Sequence, residues 1–476
     1  MFLQKYPFIQ IGTMSLSAFL KRNGHQCELL FLRKKNEVKQ FILSFSPNLL
    51  AFSCTTGMEE WVFETAKMVR EDFKIPVIVG GPHPTFHPEM VENENIDIIC
   101  RGEGEIALSK LLDSWSKGEK TNEINNLWIK KNGEIIKNPI GPLIEDLDTL
   151  PFVDRTIYDK YGFLQGFYKD MSPIAMGRGC PFNCSHCFNR DYKNLYANKN
   201  KYIRLRAAEN VIEEILEVKK KYKIRSIEFL DECFFFDKNW FSQFINLYQE
   251  KIRLPFTCNA RADLIDEEMA KEIKQAGCRL VRIGLETGSE RLRKNILKKN
   301  IGNDKYKKAA ELIKKHGMSL QTFNIYGLPE ETLENALETY KFNKELKVDF
   351  AWCSLLQPYP GTDIYKYAIE KNLIEEQTVH DLMGRLNFEE SYFYNSPIKL
   401  EKKKEIINLQ KLTQLSILLH LPFFLLKFLI RLPKNRFFHT IFKLSYSYSV
   451  LKYNKIKLLP FLRMSWYSQS YTSSKK

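Results

Sequence analysis

Three cysteines at close spacing are the residues of this sequence best suited to chemistry. The segment Gly177-Arg-Gly-Cys180-Pro-Phe-Asn-Cys184-Ser-His-Cys187 places them at Cys-x3-Cys-x2-Cys, directly after a predicted strand. A loop rich in Gly and Pro lets three thiolates converge on one metal centre. Structural zinc sites usually take four ligands in paired Cys-x2-Cys repeats. Three cysteines without a fourth favour a 4Fe–4S cluster with one open iron, and a zinc knuckle using His186 or buried structural cysteines are the alternatives.

Further candidate residues follow the later predicted strands of the same region. Asp231 and Glu232 come after a predicted strand at Ser226–Leu230, and Arg261 comes after one at Phe256–Asn259. The other candidates are Glu286, after Leu280–Leu285, and Gly327 with Leu328, after Leu320–Tyr326. In (β/α) barrels the chemistry sits at the C-terminal ends of the strands, which is where these residues are predicted to lie. An isolated acid at a strand end is usually solvated or salt-bridged, so only the ordered set points to a site.

Residues 172–365 alternate strands with helices, a pattern typical of a partial (β/α)6 barrel. The six strands are predicted at Ile174–Met176, Ser226–Leu230, Phe256–Asn259, Leu280–Leu285, Leu320–Tyr326 and Phe350–Leu355. The helices between them are predicted at about Ala207–Tyr222, Asn239–Gln249, Asp266–Ala276, Asn303–Lys315 and Thr332–Lys344.

Residues 1–138 show a separate alternation that predicts an α/β domain with a Rossmann-like parallel sheet. Its strands are predicted at Cys27–Leu32, Leu49–Ser53, Pro76–Val79 and Ile96–Cys100, and its helices at Gly12–Arg22, Glu37–Phe45, Glu59–Phe73 and Glu105–Trp115. Asn132-Gly133 predicts a hairpin turn. The pair Gly80-Gly81 after a strand lets a bulky ligand approach the backbone. Residues 139–171 are predicted to form a linker.

The ordered motifs resemble those of the radical S-adenosylmethionine (SAM) superfamily. They are Glu228-Phe-Leu-Asp231-Glu232, Asn259-Ala-Arg261-Ala-Asp263, Gly284-Leu-Glu286-Thr-Gly288 and Asn324-Ile-Tyr-Gly327-Leu-Pro-Glu330. The resemblance implies that Cys180, Cys184 and Cys187 bind a 4Fe–4S cluster whose open iron takes SAM. It implies SAM contacts by Asp231, Glu232, Arg261, Glu286, Gly327 and Leu328. It also implies reductive cleavage of SAM to a 5′-deoxyadenosyl radical, and a reducing partner such as flavodoxin or ferredoxin.

The N-terminal region resembles the cobalamin-binding class of that superfamily. The segments Pro76-Val-Ile-Val-Gly80-Gly81-Pro82-His83 and Arg101-Gly102-Glu103-Gly104-Glu105 carry this resemblance. It implies cobalamin contacts by Ser53, Thr55, Gly80, Gly81 and Glu103. No Asp-x-His-x-x-Gly motif supplies a histidine to cobalt. The first strand of the sheet is predicted to be nearly absent from Met1-Phe-Leu-Gln-Lys-Tyr, which would leave a sheet partner unpaired. Two explanations are possible at this point: translation starts at an upstream codon, or the domain has lost cobalamin.

Residues 366–476 are predicted to form a helical extension with a basic amphipathic tail. Residues 401–476 hold 15 Lys and Arg but only two acids, so they carry +13 of the net charge of +15. The run Leu415–Ile430 is largely apolar but shorter than the roughly 20 residues that span a bilayer. Aliphatic residues with basic neighbours favour a helix at a membrane surface. Packing on the barrel and RNA binding are the alternatives, and nucleic acid is the less expected partner.

Composition limits the classes of function. The 476 residues are 44% hydrophobic and 27% charged, which suits two or three globular domains and excludes a disordered chain or a polytopic membrane protein. Residues 1–12 show no basic start followed by an apolar run, so the expected compartment is the cytosol. Peripheral attachment to the inner face of the membrane is the alternative location.

The sequence therefore predicts a radical SAM enzyme that functionalises an unactivated carbon of a small or lipid-like molecule. The predicted reaction is cobalamin-dependent methylation, with cyclisation or rearrangement as variants. A tRNA methylthiotransferase with a second cluster on Cys27, Cys54 and Cys100 is one alternative, although each of these cysteines lies in an apolar pattern typical of a core. A non-enzymatic scaffold with a structural cluster is the other.

Overall fold

A computed structural model of the chain describes residues 1–32, 35–374, 393, 395–433 and 435–472. Residues 375–392 of the predicted C-terminal extension and its last four residues lie outside the described part. Two parallel sheets follow one another along the chain, and helices close the sequence.

The first sheet has seven strands: β1 (Phe2–Gln4), β2 (Leu29–Phe31), β3 (Leu50–Ser53), β4 (Val77–Gly80), β5 (Ile98–Cys100), β6 (Leu127–Lys131) and β7 (Glu134–Lys137). Their order in space is β2-β1-β3-β4-β5-β6-β7. The first five run parallel, and the hairpin β6–β7 adds an antiparallel edge. The helices of this part are α1 (Ile11–Arg22), α2 (Lys35–Phe45), α3 (Glu59–Asp72), α4 (Pro82–Phe86) and α5 (Glu105–Lys117). The predicted Rossmann-like sheet is confirmed.

The prediction that the first strand is nearly absent is wrong. β1 lies between β2 and β3 and pairs in parallel with both, so that Phe2 stands opposite Leu29 and Ala51. Its three side chains are buried. Hydrogen bonds from both neighbours hold it, since the Phe2 amide donates to the Glu28 carbonyl at 2.7 Å and the Ala51 amide donates to the Met1 carbonyl at 2.9 Å. A strand paired on both sides needs only three residues, and a pattern of alternating side chains cannot be recognised over so few.

The second sheet is the predicted barrel. Its six parallel strands are β8 (Ser172–Ile174), β11 (Ile227–Phe229), β12 (Phe256–Ala260), β13 (Cys278–Glu286), β14 (Ser319–Tyr326) and β15 (Phe350–Leu355), in the order β15-β14-β13-β12-β11-β8. A short antiparallel pair, β9 (Gly177–Arg178) and β10 (Arg204–Leu205), flanks them. The helices are α6 (Gly162–Asp170), α7 (Phe188–Leu195), α8 (Ala208–Tyr222), α9 (Lys238–Lys251), α10 (Glu267–Gln275), α11 (Glu290–Asn295), α12 (Asn303–Lys315), α13 (Leu333–Glu345) and α14 (Asp363–Glu370).

The first barrel strand ends two residues earlier than predicted. The Met176 amide donates to the Asp231 carboxylate at 3.0 Å instead of to a neighbouring strand. The chain therefore leaves the sheet at Ile174 and turns toward the cysteine segment.

Four helices close the chain: α15 (Lys403–Leu418), α16 (Phe423–Leu429), α17 (Arg436–Asn454) and α18 (Leu458–Thr472). The run Leu415–Ile430 is not the single interfacial helix that was expected. It is divided between α15 and α16, and it contributes Ile417, Leu426 and Ile430 to the hydrophobic core of the barrel. Among the residues whose placement is described, no helix has the length and apolar character that crossing a bilayer requires.

Candidate functional site

A cleft of about 700 Å³ lies between the two sheets. From the N-terminal sheet it is lined by Ser53, Gly80, Gly81 and Glu103, and from the barrel by Cys187 and Glu232. Six residues predicted from two separate regions of the sequence therefore meet in one cavity. Its volume falls within the range of about 300–1,000 Å³ that is usual for small-molecule sites.

Two glycines allow close approaches on the N-terminal side of the cleft. Gly81 has a φ of +102°, and a Cβ placed there would lie only 2.9 Å from the carbonyl oxygen of Cys54. Gly102 has a φ of +74°, and its Cβ would lie 2.5 Å from the phenolic oxygen of Tyr196. Side chains at these two positions would be both strained and obstructed, so the sheet edge is kept open by its backbone.

A second cavity of about 280 Å³ adjoins the floor of the cleft. The two cavities share Phe2, Ala51 and Leu108 among their lining residues. The two cavities therefore lie next to each other beside β1, β3 and α5.

The cysteine loop runs from Gly179 to Cys187 on the opposite side of the cleft. All three cysteines are half-buried and free. Ser185 anchors the loop, because its amide donates to the Leu297 carbonyl at 3.0 Å and its hydroxyl donates to the Ile296 carbonyl at 2.6 Å. Burial raises the pKa of the Cys180 thiol to about 12 and that of the Cys187 thiol to about 11.

The three thiols do not surround a single point. Within the part of the chain that the structure describes, no three His, Cys, Asp or Glu side chains are arranged around one ion position. A 4Fe–4S cluster does not require one shared ion position, because each cysteine binds a different iron.

Asp231 and Glu232 have different surroundings at the end of β11. The Asp231 carboxylate accepts hydrogen bonds from the amides of Met176 and Gly177, at 3.0 and 2.8 Å, and burial raises its pKa to about 6. Asp231 thus holds the start of the cysteine segment. Glu232 lines the cleft, and burial raises its pKa. Of the two acids, Glu232 is the one that faces the cavity.

Arg261 and Glu286 lie near the cysteine loop but do not line the cleft. The Arg261 guanidinium lies 3.4 Å from the centre of the Phe182 ring and pairs with Asp263 at 2.9 Å. Glu286 has a φ of +65° and pairs at 3.2 Å with the ammonium of Lys299.

Lys299 is a site residue that the sequence analysis missed. Its ammonium is buried and also donates to the Gly284 carbonyl. Burial opposes its charge, yet the neighbouring Tyr306 and Glu286 hold its pKa above the ordinary value. A lysine 13 residues beyond Glu286, next to other lysines, gives no signal in the sequence.

Thr55, Gly327 and Leu328 are not among the residues that line the cleft. The Thr55 hydroxyl donates to the sulfur of Met58 at 3.2 Å. Gly327, with a φ of +78°, donates its amide to the Glu331 carboxylate, and Leu328 is fully buried. The structure therefore does not bring these three residues to the cavity that Ser53, Gly80, Gly81, Glu103 and Glu232 line.

A cluster of charges joins the two halves of the cleft. Glu103 accepts hydrogen bonds from Arg178 at 2.8 Å and from Arg204 at 2.9 and 3.0 Å. Glu105 pairs with Arg178 at 2.5 Å and accepts from the Ser15 hydroxyl at 2.7 Å. Burial opposes ionisation, but Arg204 and Arg178 hold the pKa of Glu103 below its ordinary value. We call these four charged residues the clasp; the Glu103 carboxylate, predicted to contact cobalamin, is engaged here by arginines.

The second-cluster alternative is not favoured. Cys27, Cys54 and Cys100 are all buried. Cys27 and Cys100 belong to one hydrophobic cluster of the N-terminal sheet, and Cys54 belongs to another. The interpretation of these cysteines as core residues is confirmed.

Comparison with known proteins identifies the family. The model of the radical SAM superfamily matches residues 174–342, and that of the B12 binding domain matches residues 5–112. An uncharacterized methyltransferase of Pyrococcus horikoshii is 32% identical over 345 residues, which cover 71% of this chain and 73% of the relative. The chain belongs to the radical SAM superfamily. Within it, the chain falls in the class that carries a B12-binding domain, as the sequence predicted.

This radical SAM protein also resembles other named proteins. An anaerobic magnesium-protoporphyrin IX monomethyl ester cyclase of Rubrivivax gelatinosus is 27% identical over 374 residues, covering 74% of this chain and 64% of the cyclase. Two solved structures share the fold. The methyltransferase TsrM from Kitasatospora setae, with cobalamin and a [4Fe-4S] cluster bound, has a TM-score of 0.66 at 19% identity and covers 78% of this chain and 77% of its own. OxsB with aqua-cobalamin has a TM-score of 0.67 at 18% identity, with 98% and 75% covered.

Family membership decides the class of activity and the cofactors. The chain is a radical SAM enzyme, and its cofactors are SAM, a 4Fe–4S cluster and cobalamin. The scaffold without activity is not favoured, because its relatives are named as methyltransferases and a cyclase.

Proposed function

We propose that this enzyme methylates an unactivated carbon of a small molecule, with cobalamin as the methyl carrier. The observation that carries the proposal is the shared cleft. The glycine-rich edge of the N-terminal sheet and the cysteine loop of the barrel both line it, with Gly80, Gly81 and Cys187 in one cavity. Two large cofactors held on opposite walls would face each other, with the substrate between them.

Each wall is assigned to a cofactor. Cys180, Cys184 and Cys187 would hold the cluster, and SAM would be contacted by Glu232 in the cleft with Arg261 and Glu286 beside the cysteine loop. Ser53, Gly80 and Gly81, which line the cleft, would contact cobalamin. The second cavity, which adjoins the cleft on the N-terminal side, supports this.

When bound, the cluster and SAM supply a radical that removes hydrogen from carbon, and cobalamin supplies the methyl group. The residues of the chain bind and orient these cofactors and the substrate. The Glu232 carboxylate can accept hydrogen bonds from the SAM ammonium, and the Arg261 guanidinium can pair with a carboxylate. Asn189 donates to the Cys187 sulfur at 3.7 Å and accepts from the Tyr202 hydroxyl at 2.9 Å, so it steadies one ligand of the cluster.

The barrel wall of the cleft favours an apolar or planar substrate. Phe188 and Tyr359 line it, with ring centres 5.4 Å apart, and Phe86 stacks on Phe188 at 4.9 Å. Aromatic faces bind flat or apolar groups and exclude water. A lipid-like substrate, a flavodoxin or ferredoxin as electron donor, and a cytosolic location complete the proposal.

Ring formation without methyl transfer is the second candidate. The observation that favours it is the 27% identity with the cyclase of Rubrivivax gelatinosus. The two reactions differ in the fate of SAM, since only methylation converts SAM to S-adenosylhomocysteine as well as to 5′-deoxyadenosine.

The test is to purify the protein without oxygen, supply hydroxocobalamin, iron and sulfide, and measure iron, cobalt and both products of SAM in one sample. We expect about four irons and one cobalt per chain, and 5′-deoxyadenosine after reduction. S-adenosylhomocysteine that rises with a candidate acceptor supports methylation. Consumption of the same acceptor without formation of S-adenosylhomocysteine supports ring formation. A preparation that binds iron and cleaves SAM but takes up no cobalt would overturn both.

A further inference from the structure

Exposed apolar side chains are concentrated in one short part of the chain. The described residues expose fourteen large hydrophobic side chains, and ten of them lie between residues 419 and 466. Eight of these ten, all on α16, α17 and α18, are together called the outer C-terminal face: Phe424, Phe428, Phe437, Leu444, Tyr448, Leu458, Leu459 and Leu462. Phe424 is 76% exposed and Phe437 is 67% exposed. Single exposed apolar residues are ordinary, but such a concentration marks an interaction surface.

α16 and α17, which carry five of the eight side chains, are held to the barrel by their other sides. In α17, Phe438, Phe442 and Tyr446 are buried, and the Tyr446 ring lies 5.7 Å from that of Phe350 in β15. In α16, Leu426 is buried in the barrel core. This part of the face is therefore the outward side of packed helices.

The spacing along each helix keeps the exposed side chains on one side. Phe424 and Phe428 are four residues apart in α16, and so are Leu444 and Tyr448 in α17. Residues four apart in a helix lie above one another on the same face. Each helix thus has one apolar side in the barrel and one apolar side in the solvent.

Unpaired positive charge surrounds the face. Exposed basic residues lie among the apolar ones, namely Lys427, Arg431, Arg436, Lys443, Lys455, Lys457 and Arg463. None of these seven takes part in an ion pair within the described part of the chain. The sequence supplies no Asp or Glu after Glu405. A partner that neutralises this region must bring negative charge and must also accept aliphatic side chains.

We propose that the outer C-terminal face binds the surface of an anionic lipid bilayer. Helices that lie at such a surface insert apolar side chains below the headgroups, while lysines and arginines reach up to the phosphates. Both requirements are met by the residues above. A nucleic acid would satisfy the charge but offers nothing to the four exposed leucines. A second copy of this chain would satisfy the leucines but would bring the same positive charge.

Vesicle co-sedimentation of the full-length chain tests the proposal. Vesicles of phosphatidylcholine with phosphatidylglycerol are compared with vesicles of phosphatidylcholine alone, without cobalamin or SAM. We expect binding to the anionic vesicles to be at least about tenfold stronger, and to weaken as salt is raised. The apolar variant Phe437→Ser with Leu444→Ser, and the charge variant Lys443→Glu with Lys455→Glu, should each reduce binding at least about tenfold.

The matched control is Leu43→Ser, since Leu43 is 69% exposed on α2, in the other half of the molecule. It should bind vesicles as the unaltered chain does. Melting curves and bound iron show whether a variant is folded, and Leu458→Ser with Leu462→Ser in α18 replaces any variant that is not.

Three results would overturn the proposal. They are equal binding by folded apolar variants, binding of RNA but not of vesicles, and a dimer in solution that the apolar variants dissociate. Because the assay uses no cofactor, its failure would leave the proposed methylation untouched, and a cobalt-free enzyme would leave the membrane proposal untouched.

Discussion

The two walls of the cleft are built in different ways. On the N-terminal side, the closest approaches are made by backbone at Gly81 and Gly102, where a Cβ would meet other atoms within 3 Å. On the barrel side, the wall carries the ionisable side chains of Cys187 and Glu232 beside the aromatic rings of Phe188 and Tyr359. The first wall suits a large ligand recognised by shape, and the second suits a ligand held by bonds to side chains. Substitutions in the N-terminal wall should therefore lower the cobalt content alone, and substitutions in the barrel wall should lower the iron content alone.

The cysteines should give the largest effect. Replacing Cys180, Cys184 or Cys187 by alanine removes a proposed ligand of the cluster, so iron content and 5′-deoxyadenosine formation should fall to background while cobalt content is kept. The control is Cys27→Ala, a buried cysteine of the N-terminal sheet, which should retain both. Turnover in any of the three loop variants would refute the cluster assignment.

Gly81→Ala should act on the opposite wall. The strain of the left-handed backbone and the contact with Cys54 should weaken cobalamin binding at least about tenfold in a spectroscopic titration, with iron unchanged. Gly118→Ala is the control, because Gly118 has a φ of +68° but open space around its Cβ position. If both variants bind cobalamin equally well, close approach at Gly81 has no role in binding.

The clasp should respond with a loss of stability. Glu103→Gln leaves Arg204 without a carboxylate partner while Arg178 keeps its pair with Glu105, and breaking a buried ion pair on one side costs roughly 3–5 kcal/mol. Urea unfolding measures this loss. The control is Glu345→Gln, which removes an exposed pair with Lys307, where about 0–1 kcal/mol is expected. Similar losses in the two variants would show that the clasp does not join the halves.

A buried acid of the barrel should make stability depend on pH. Burial raises the pKa of Glu331 from 4.5 to about 8, so the folded chain keeps a proton that the unfolded chain loses. Stability should therefore fall as the pH rises from about 5 to about 8, and Glu331→Gln should remove this part of the fall. In Glu330→Gln the melting temperature should keep the dependence of the unaltered chain, since a hydrogen bond from Tyr367 holds the pKa of Glu330 below its ordinary value. If the melting temperatures of Glu331→Gln and Glu330→Gln change with pH in the same way across this range, the assignment to Glu331 is contradicted.

Local patterns in the sequence were sufficient for much of this architecture. The cysteine loop and the barrel strands could be predicted because strand patterns and motif spacing are set over a few neighbouring residues. The domain limits at residues 138, 171 and 365 stay predictions.

Features that depend on distant partners could not be predicted. β1 is too short to show alternation, and its pairing partners come some 25 to 50 residues later. Lys299 and the clasp join residues that are neighbours only after folding. The aliphatic run in the tail was assigned to a membrane because composition cannot tell a buried leucine from an exposed one. The structure buries Ile417, Leu426 and Ile430 of that run and exposes Leu419, Phe424 and Phe428.

The clasp has a consequence for the timing of synthesis. Arg204 lies 101 residues after Glu103. At about 5–20 residues per second, the ribosome needs roughly 5 to 20 s to add it after Glu103 has been made. During that interval the N-terminal wall can form while the barrel wall does not yet exist. A bulky ligand can then reach the glycine edge of the sheet. This access narrows once Arg178 and Arg204 have been synthesised and pair with Glu103.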